Sequence, residues 1–233
     1  MTMHRLALGA LLCLSALPAV AQDSAAAPAP VPAAPPPAVA PAPRPATVQV
    51  NILTSEGPIL LELEKERAPI TTNNFLRYVD SKRFDNSTFY RAVAVPNAPE
   101  LGLVQGGIKF DPKKIFPGIA HEPTTKTGLK HVDGTISMGR NAPGTAAGDF
   151  FIVVGDMTYM DADPSAPGDN LGYAAFGHVV EGMEVVKKIL AAPRSPTLGE
   201  GVMKGQMLAA PIKIVSVRRV TTPKPAAPSA AQP

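Results

Sequence analysis

The hydrophobic rhythm of the chain changes several times, and each change marks a boundary. Val48, Val50 and Ile52 alternate with polar residues; Leu61 and Leu63 alternate with Glu62 and Glu64; Thr54, Ser55, Glu56 and Gly57 lie between the two runs. Period-two alternation broken by a polar, Gly-bearing turn predicts a β-hairpin. The rhythm then lengthens. Thr72, Phe75, Leu76 and Val79 recur at helical spacing after Pro69. Proline suits a helix start, because its missing N–H is not needed in the first turn. Strand-like runs follow at 89–93, 103–107, 135–138, 150–154 and 174–180. A second short helix is predicted over 183–190, with Met183, Val186 and Leu190 as its buried stripe. Ile212, Ile214, Ser216 and Val217 form a last strand. Many strands and two short helices, without regular strand–helix alternation, predict an antiparallel barrel or sandwich.

The pattern disappears at both ends. Residues 24–46 are almost entirely Ala and Pro. Such a segment cannot bury enough side-chain area to offset the entropy of ordering, and its prolines favour extended, semi-stiff conformations. Residues 22–46 therefore read as a disordered tether, and 221–233 as a tail of the same kind. Ahead of the tether lie a short basic stretch ending at Arg5, an apolar run from Leu6 to Val20, and the small residues Ala19, Val20 and Ala21. This is the pattern of a secretory signal peptide over 1–21. The apolar run is short of the roughly 20 residues that span a bilayer, so no stable membrane anchor is expected. Cys13, the single cysteine, falls within that signal. The exported chain would then carry no disulfide or thiol chemistry. One folded domain is left, over 47–220.

Composition narrows the chemistry. A net charge of +3, 5% aromatic residues and no Trp argue against nucleic acid as a partner. The sequence holds no Gly-x-Ser-x-Gly elbow and no Cys–His pair. His4, His121, His131 and His178 show no metal-ligand spacing. Asp161, Asp163 and Asp169 are of the type that binds Ca²⁺, but Pro164 and Pro167 among them fit an ordinary polar loop better. No cofactor and no metal are expected.

Several short motifs stand in a fixed order: Ala68-Pro69 with Asn74-Phe75, Phe89-Tyr90-Arg91, Gln105-Gly106-Gly107, Ser137-Met138, Phe150-Phe151-Ile152, Phe176-Gly177 and Glu181-Gly182-Met183. Each alone is weak. Together they cover most of 48–217 and resemble the cyclophilin-type peptidyl-prolyl cis-trans isomerases. The resemblance implies a mainly β fold, a closed eight-stranded antiparallel barrel capped by two short helices. It implies cis–trans isomerisation of the peptide bond before proline, without a cofactor, by a monomer acting on unfolded or partly folded proteins. With the signal peptide, it implies an exported folding catalyst in a bacterial periplasm, full secretion being the alternative. A peptide-binding module or chaperone with weak catalysis is the second reading.

The resemblance also assigns roles. Amide rotation is slow because C–N resonance sets a barrier of about 18–20 kcal/mol. A guanidinium can donate to the proline nitrogen once twisting has freed its lone pair, and it stays charged at any relevant pH. Arg91 matches that catalytic position. Gln105 matches the glutamine that hydrogen-bonds the substrate backbone. Leu103, Phe151 and Met160 match the apolar seat of the proline ring. Phe150, beside Phe151 on a strand, should point the other way, into the barrel. Thr145 and Asn141 fall on the loop lining the substrate channel. Asp149 stands where a glutamine is usual, and is expected near Arg91 or the substrate. Tyr173 stands where a pocket histidine is usual, Tyr90 replaces another histidine, and Arg140 and Asn141 replace the usual Asn-Ala. An aromatic of the pocket is replaced by Leu101 or Gly102. Tyr159 takes the place of a tryptophan usual in cyclosporin-sensitive members. Residues 162–171 are an insertion.

Overall fold

The structure is a computed structural model and describes residues 46–109 and 111–220. The signal-peptide and tail readings, and the tether apart from Ala46, lie outside the described residues. The hairpin is strands β1 (Val48–Thr54) and β2 (Gly57–Leu63), paired antiparallel from Val48↔Leu63 to Thr54↔Gly57. The remaining strands are β3 (Ser87–Val95), β4 (Ala98–Gly107), β5 (Thr135–Met138), β6 (Asp149–Val154), β7 (Ala174–Glu181) and β8 (Met207–Arg219). They close into a barrel in the order β1-β2-β7-β5-β6-β4-β3-β8. The choice between barrel and sandwich falls to the barrel because β8 is long enough to pair with both β1 and β3, which removes both sheet edges.

The last strand explains an irregularity in its own sequence. Leu53 pairs with Ser216 and Thr54 with Ile214, so Val215 is an extra residue at a bulge. A bulge reverses the inward parity of the residues beyond it. Ile214 and Val217 are accordingly both buried, while Val215 is exposed.

Helix α1 (Pro69–Asp80) lays Phe75, Leu76, Tyr78 and Val79 on the core. The Phe75 ring lies 4.9 Å from Phe84, 5.4 Å from Phe150 and 5.3 Å from Phe176. Ala68, just before the helix, supplies no side-chain cap. The buried Glu122 does so from far along the chain, accepting hydrogen bonds from the Thr71 N–H and hydroxyl at 2.7 Å each and from the Ile70 N–H at 3.2 Å. These groups would otherwise be orphaned, and the carboxylate complements the positive end of the helix. A one-turn helix not expected from the sequence, α2 (Thr124–Thr127), follows. Helix α3 (Met183–Ala191) buries Val185, Val186, Ile189 and Leu190. The expected stripe shifts, because Met183 is the first helical residue and only half-covered, whereas two adjacent pairs four residues apart make one continuous face. Among the described residues no helix is long and apolar enough to cross a membrane.

Candidate active site

Strand β6 is buried along its whole length. Phe150, Ile152 and Val154 point into the barrel and belong to the main core. Phe151 and Val153 point outward, where a second apolar cluster forms with Met157 and Met160, flanked by Val95, Leu103 and Tyr173. The adjacency of β4 and β6 builds this outer cluster, with Leu103 opposite Val153 and Gln105 opposite Phe151. An open groove of about 310 Å³ runs over it. Phe151, Met160, Leu103 and Val93 line it with apolar surface; Arg91, Gln105, Arg140, Asn141 and Tyr173 line it with donors and acceptors.

Arg91 on β3 is held at three of its N–H groups. Nη1 donates to Gln105 Oε1 at 2.8 Å, while Nε and Nη2 donate to Gln206 Oε1 at 2.9 and 2.5 Å. The first contact follows from the β3–β4 register, which pairs Arg91 with Gln105. The second follows from barrel closure, which pairs Arg91 with Met207, next to Gln206. A guanidinium has five N–H donors, so one remains on Nη1 and one on Nη2. Burial lowers the Arg91 pKa, and the Tyr90 and Tyr173 phenols oppose that shift. Arginine starts so far above neutrality that it stays charged. Arginine can only donate, so Gln105 must turn its carbonyl toward it. The Gln105 amide NH₂ is then free to face an incoming carbonyl. The site therefore offers directed donors beside an apolar seat, which suits an amide whose nitrogen gains a lone pair as it twists.

Beneath the seat lies a Ser–His–Asp series. His131 Nδ1 is 2.7 Å from Asp161 Oδ1, and Nε2 is 3.0 Å from Ser137 Oγ. Its ring stacks on Phe151 at 6.1 Å and 14°. Ser137 and His131 are both 0% exposed, so no substrate reaches the hydroxyl. The series is a support rather than a nucleophile. Burial lowers the His131 pKa, with the Asp161 hydrogen bond opposing. In the neutral ring Nδ1 donates to Asp161 and Nε2 accepts from Ser137. Asp161 also accepts from the His131 backbone N–H at 3.0 Å, fixing the turn that carries Met160.

Tyr173 meets Phe151 edge-on, at 5.3 Å and 90°. Arg140 lies over the Tyr173 ring at 5.4 Å. It donates to both Asp169 carboxylate oxygens, at 2.8 and 2.9 Å, and to Gly172 O from Nε at 3.0 Å. Arg140 thus tethers the 162–171 insertion to the groove. Asp169, so held, has its pKa lowered to about 2, the Arg140 hydrogen bond being the main cause. The three aspartates of this region have separate partners: Asp161 bonds His131, Asp163 accepts from the Ser165 hydroxyl, and Asp169 pairs with Arg140.

Two sequence expectations are corrected. Asp149 does not line the groove. It is 2% exposed and accepts from the Tyr90 hydroxyl at 3.1 Å and the Lys109 N–H at 2.7 Å, two residues along β6 from Phe151. Burial, then the Asp149 charge, push the Tyr90 phenol well above its usual pKa. Thr145 does not line the groove either. It braces its own loop, its hydroxyl donating to Ala142 O at 2.7 Å and accepting from the Asn141 N–H at 3.0 Å. Leu101 and Gly102, which replace an aromatic, add no wall to the groove, in line with the sequence reading. Gly102 has φ 155°, and a Cβ there would fall 2.0 Å from Val93 O. Leu101 lies instead beside Gly155 and Asp133. Gln206, Val202 and Met203 belong to none of the sequence motifs. They precede β8; barrel closure sets Gln206 against Arg91 and brings Val202 and Met203 to the same groove, so no local sequence signal marks them.

Comparison with known proteins identifies the family. Residues 48–219 match the family described as cyclophilin type peptidyl-prolyl cis-trans isomerase/CLD. A peptidyl-prolyl cis-trans isomerase of Acinetobacter baylyi is 32% identical over 174 residues, which are 74% of this chain and 86% of the relative. Peptidyl-prolyl cis-trans isomerase A of Dickeya dadantii is 35% identical over 62% of this chain and 73% of its own. Among solved structures, a Cryptosporidium parvum cyclophilin-type isomerase superposes with TM-score 0.59 and 20% identity, over 76% of this chain and 100% of its own. It has also been solved in the presence of the dipeptide Ala-Pro. The barrel, the motif order and these relatives agree: the chain belongs to the cyclophilin family of peptidyl-prolyl cis-trans isomerases.

Proposed function

We propose that the chain isomerises the peptide bond before proline in unfolded or partly folded exported proteins, with Arg91 as the catalytic donor. The observation that carries this is the Arg91 guanidinium, fixed by Gln105 and Gln206 beside the outer cluster of Phe151, Met160 and Leu103. The proline ring sits on that cluster. The Gln105 amide holds a substrate carbonyl. An Arg91 N–H donates to the proline nitrogen as resonance is lost, and the bond reaches its maximum only in the twisted state. An interaction stronger in the transition state than in the ground state is what accelerates a reaction. Because an Xaa-Pro bond populates both isomers and exchanges slowly, the reaction matters during folding. The signal-like start of the sequence supports the periplasm as the compartment. An isomerisation assay on a short Xaa-Pro peptide tests the chemistry, with wild type active and Arg91→Ala nearly inactive. Fractionation of cells expressing the full chain tests the compartment; retention in the cytoplasm overturns that part.

A further inference from the structure

The segment between α3 and β8 does two things at the groove. Its last residue, Gln206, holds Arg91. Four and three residues earlier, Val202 and Met203 line the same groove. Val202 is 83% exposed and Met203 37%, although both are apolar. The turn that presents them is a defined structure. Gly199, Gly201 and Gly205 take φ of 92°, 53° and 78°, conformations glycine adopts without strain. Backbone bonds close it: Met203 N–H to Glu200 O at 3.0 Å, Gly205 N–H to Leu198 O at 3.1 Å, and Gln206 N–H to Met203 O at 3.0 Å. The Ala92 N–H donates to Gln206 O at 3.0 Å, tying the end of the segment to the strand that bears Arg91. A valine held out into water by an ordered turn contributes nothing to the core. Its burial would become favourable only when something apolar covers it.

We infer that the Gly201–Met203 turn is a specificity wall of the groove, receiving a large apolar side chain adjacent in sequence to the substrate proline. The inference rests on the groove being the proline-peptide site. Its occupant is fixed by continuity: Val202 and Met203 share one groove with Arg91, Gln105 and Phe151, so a peptide seated there brings its flanking residue to the turn. The wall and the Arg91 clamp lie on one short segment. Selection of the flanking residue is thereby placed next to the catalytic donor.

The test uses the full chain and a peptide series that differs only in the residue before or after proline, Leu against Gln, which are similar in size. Wild type is expected to favour Leu at one of the two positions by at least fivefold in kcat/KM, chiefly through KM. In the Val202→Ser/Met203→Gln double variant that ratio should fall below twofold. Val215→Ser, at an exposed valine outside the groove, should keep it. A wild type without preference, a double variant that retains it, or an equal loss in Val215→Ser overturns the wall. Peptide titration followed by NMR separates this from the underlying reading. Wild type that neither binds nor isomerises any peptide of the series brings down the groove itself and the wall with it; binding or turnover without an apolar preference brings down the wall alone.

Discussion

Phe150 and Phe151 are consecutive, chemically identical and almost equally buried, yet they serve different regions. Phe150 meets Phe75, Phe84 and Phe89 edge-on inside the barrel. Phe151 meets Tyr173 and His131 outside it, on the floor of the groove. The pleat of one strand sends neighbours to opposite faces. The inner region is closed on all sides, so its apolar area is used for stability. The outer region is capped on one side only, and its remaining exposed surface is available to a ligand. Burial alone does not distinguish the two; what covers each ring does.

The largest expected effect tests the inner side. Phe150→Ala should destabilise the fold by about 3–5 kcal/mol, since it removes a ring from a packed core. Phe151→Ala should cost less stability and act mainly through KM for Xaa-Pro peptides. Urea unfolding and peptide kinetics on both variants decide this, and equal stability losses would erase the distinction.

Next comes Arg91→Ala, which should raise the barrier by about 2–4 kcal/mol, as loss of other preorganised donors does. Its unfolding midpoint should stay near that of wild type. Isomerisation at the wild-type rate would remove Arg91 from its role.

Gln206→Ala should leave Arg91 held by Gln105 alone. Losing a hydrogen bond to a charged group costs about 1.5 kcal/mol, roughly tenfold in kcat. A change confined to stability would make Gln206 a structural residue only.

The Tyr159 ring, next in sequence to Met160, is 77% exposed and lines a hollow with Val132 and Asp161 rather than the groove itself, so a ligand larger than a short peptide tests the edge of the outer region. Tyr159→Trp should tighten cyclosporin binding about tenfold, or 1.4 kcal/mol, by adding a larger apolar face and an N–H donor. Calorimetry on both proteins measures this, and no gain counts against the mapping of the groove.

The smallest effect is a pH dependence. Burial holds the His131 pKa below its ordinary 6.5 in the folded state. As pH falls below about 6.5 the unfolded chain binds the proton and the folded chain does not. Stability from this group is thus full above that pH and declines on acidification toward the folded pKa. The urea midpoint should drop between pH 7.5 and 5.5, and His131→Gln should flatten that slope. A wild type with no slope there would show that His131 does not titrate as its burial implies.

Most strands and both capping helices were legible in the sequence, because alternation and helical spacing are local consequences of burying one face. The shift in α3 and the bulge in β8 were not. Periodicity reports a repeat but not the neighbour a face meets, and only the packed partner decides that Val185 goes in and Met183 stays at the edge. The candidate site divides in the same way. Arg91, Gln105 and Phe151 lie in the quoted motifs, Leu103, Met160, Tyr173 and Asn141 are placed by position in the resemblance, and all seven line one groove. Asp149 and Thr145 are placed there by position as well, yet they turn to backbone and side-chain partners nearby.

The sequence by itself determined the alternation that makes strands, the residue types able to twist an amide without a cofactor, and the family they belong to. Only the tertiary structure decided which glutamines hold Arg91 and that Val202 and Met203 stand beside it. The physical reason is closure. β3 meets β8 through hydrogen bonds between strands more than a hundred residues apart, and a pairing of that range leaves no periodic trace in either segment.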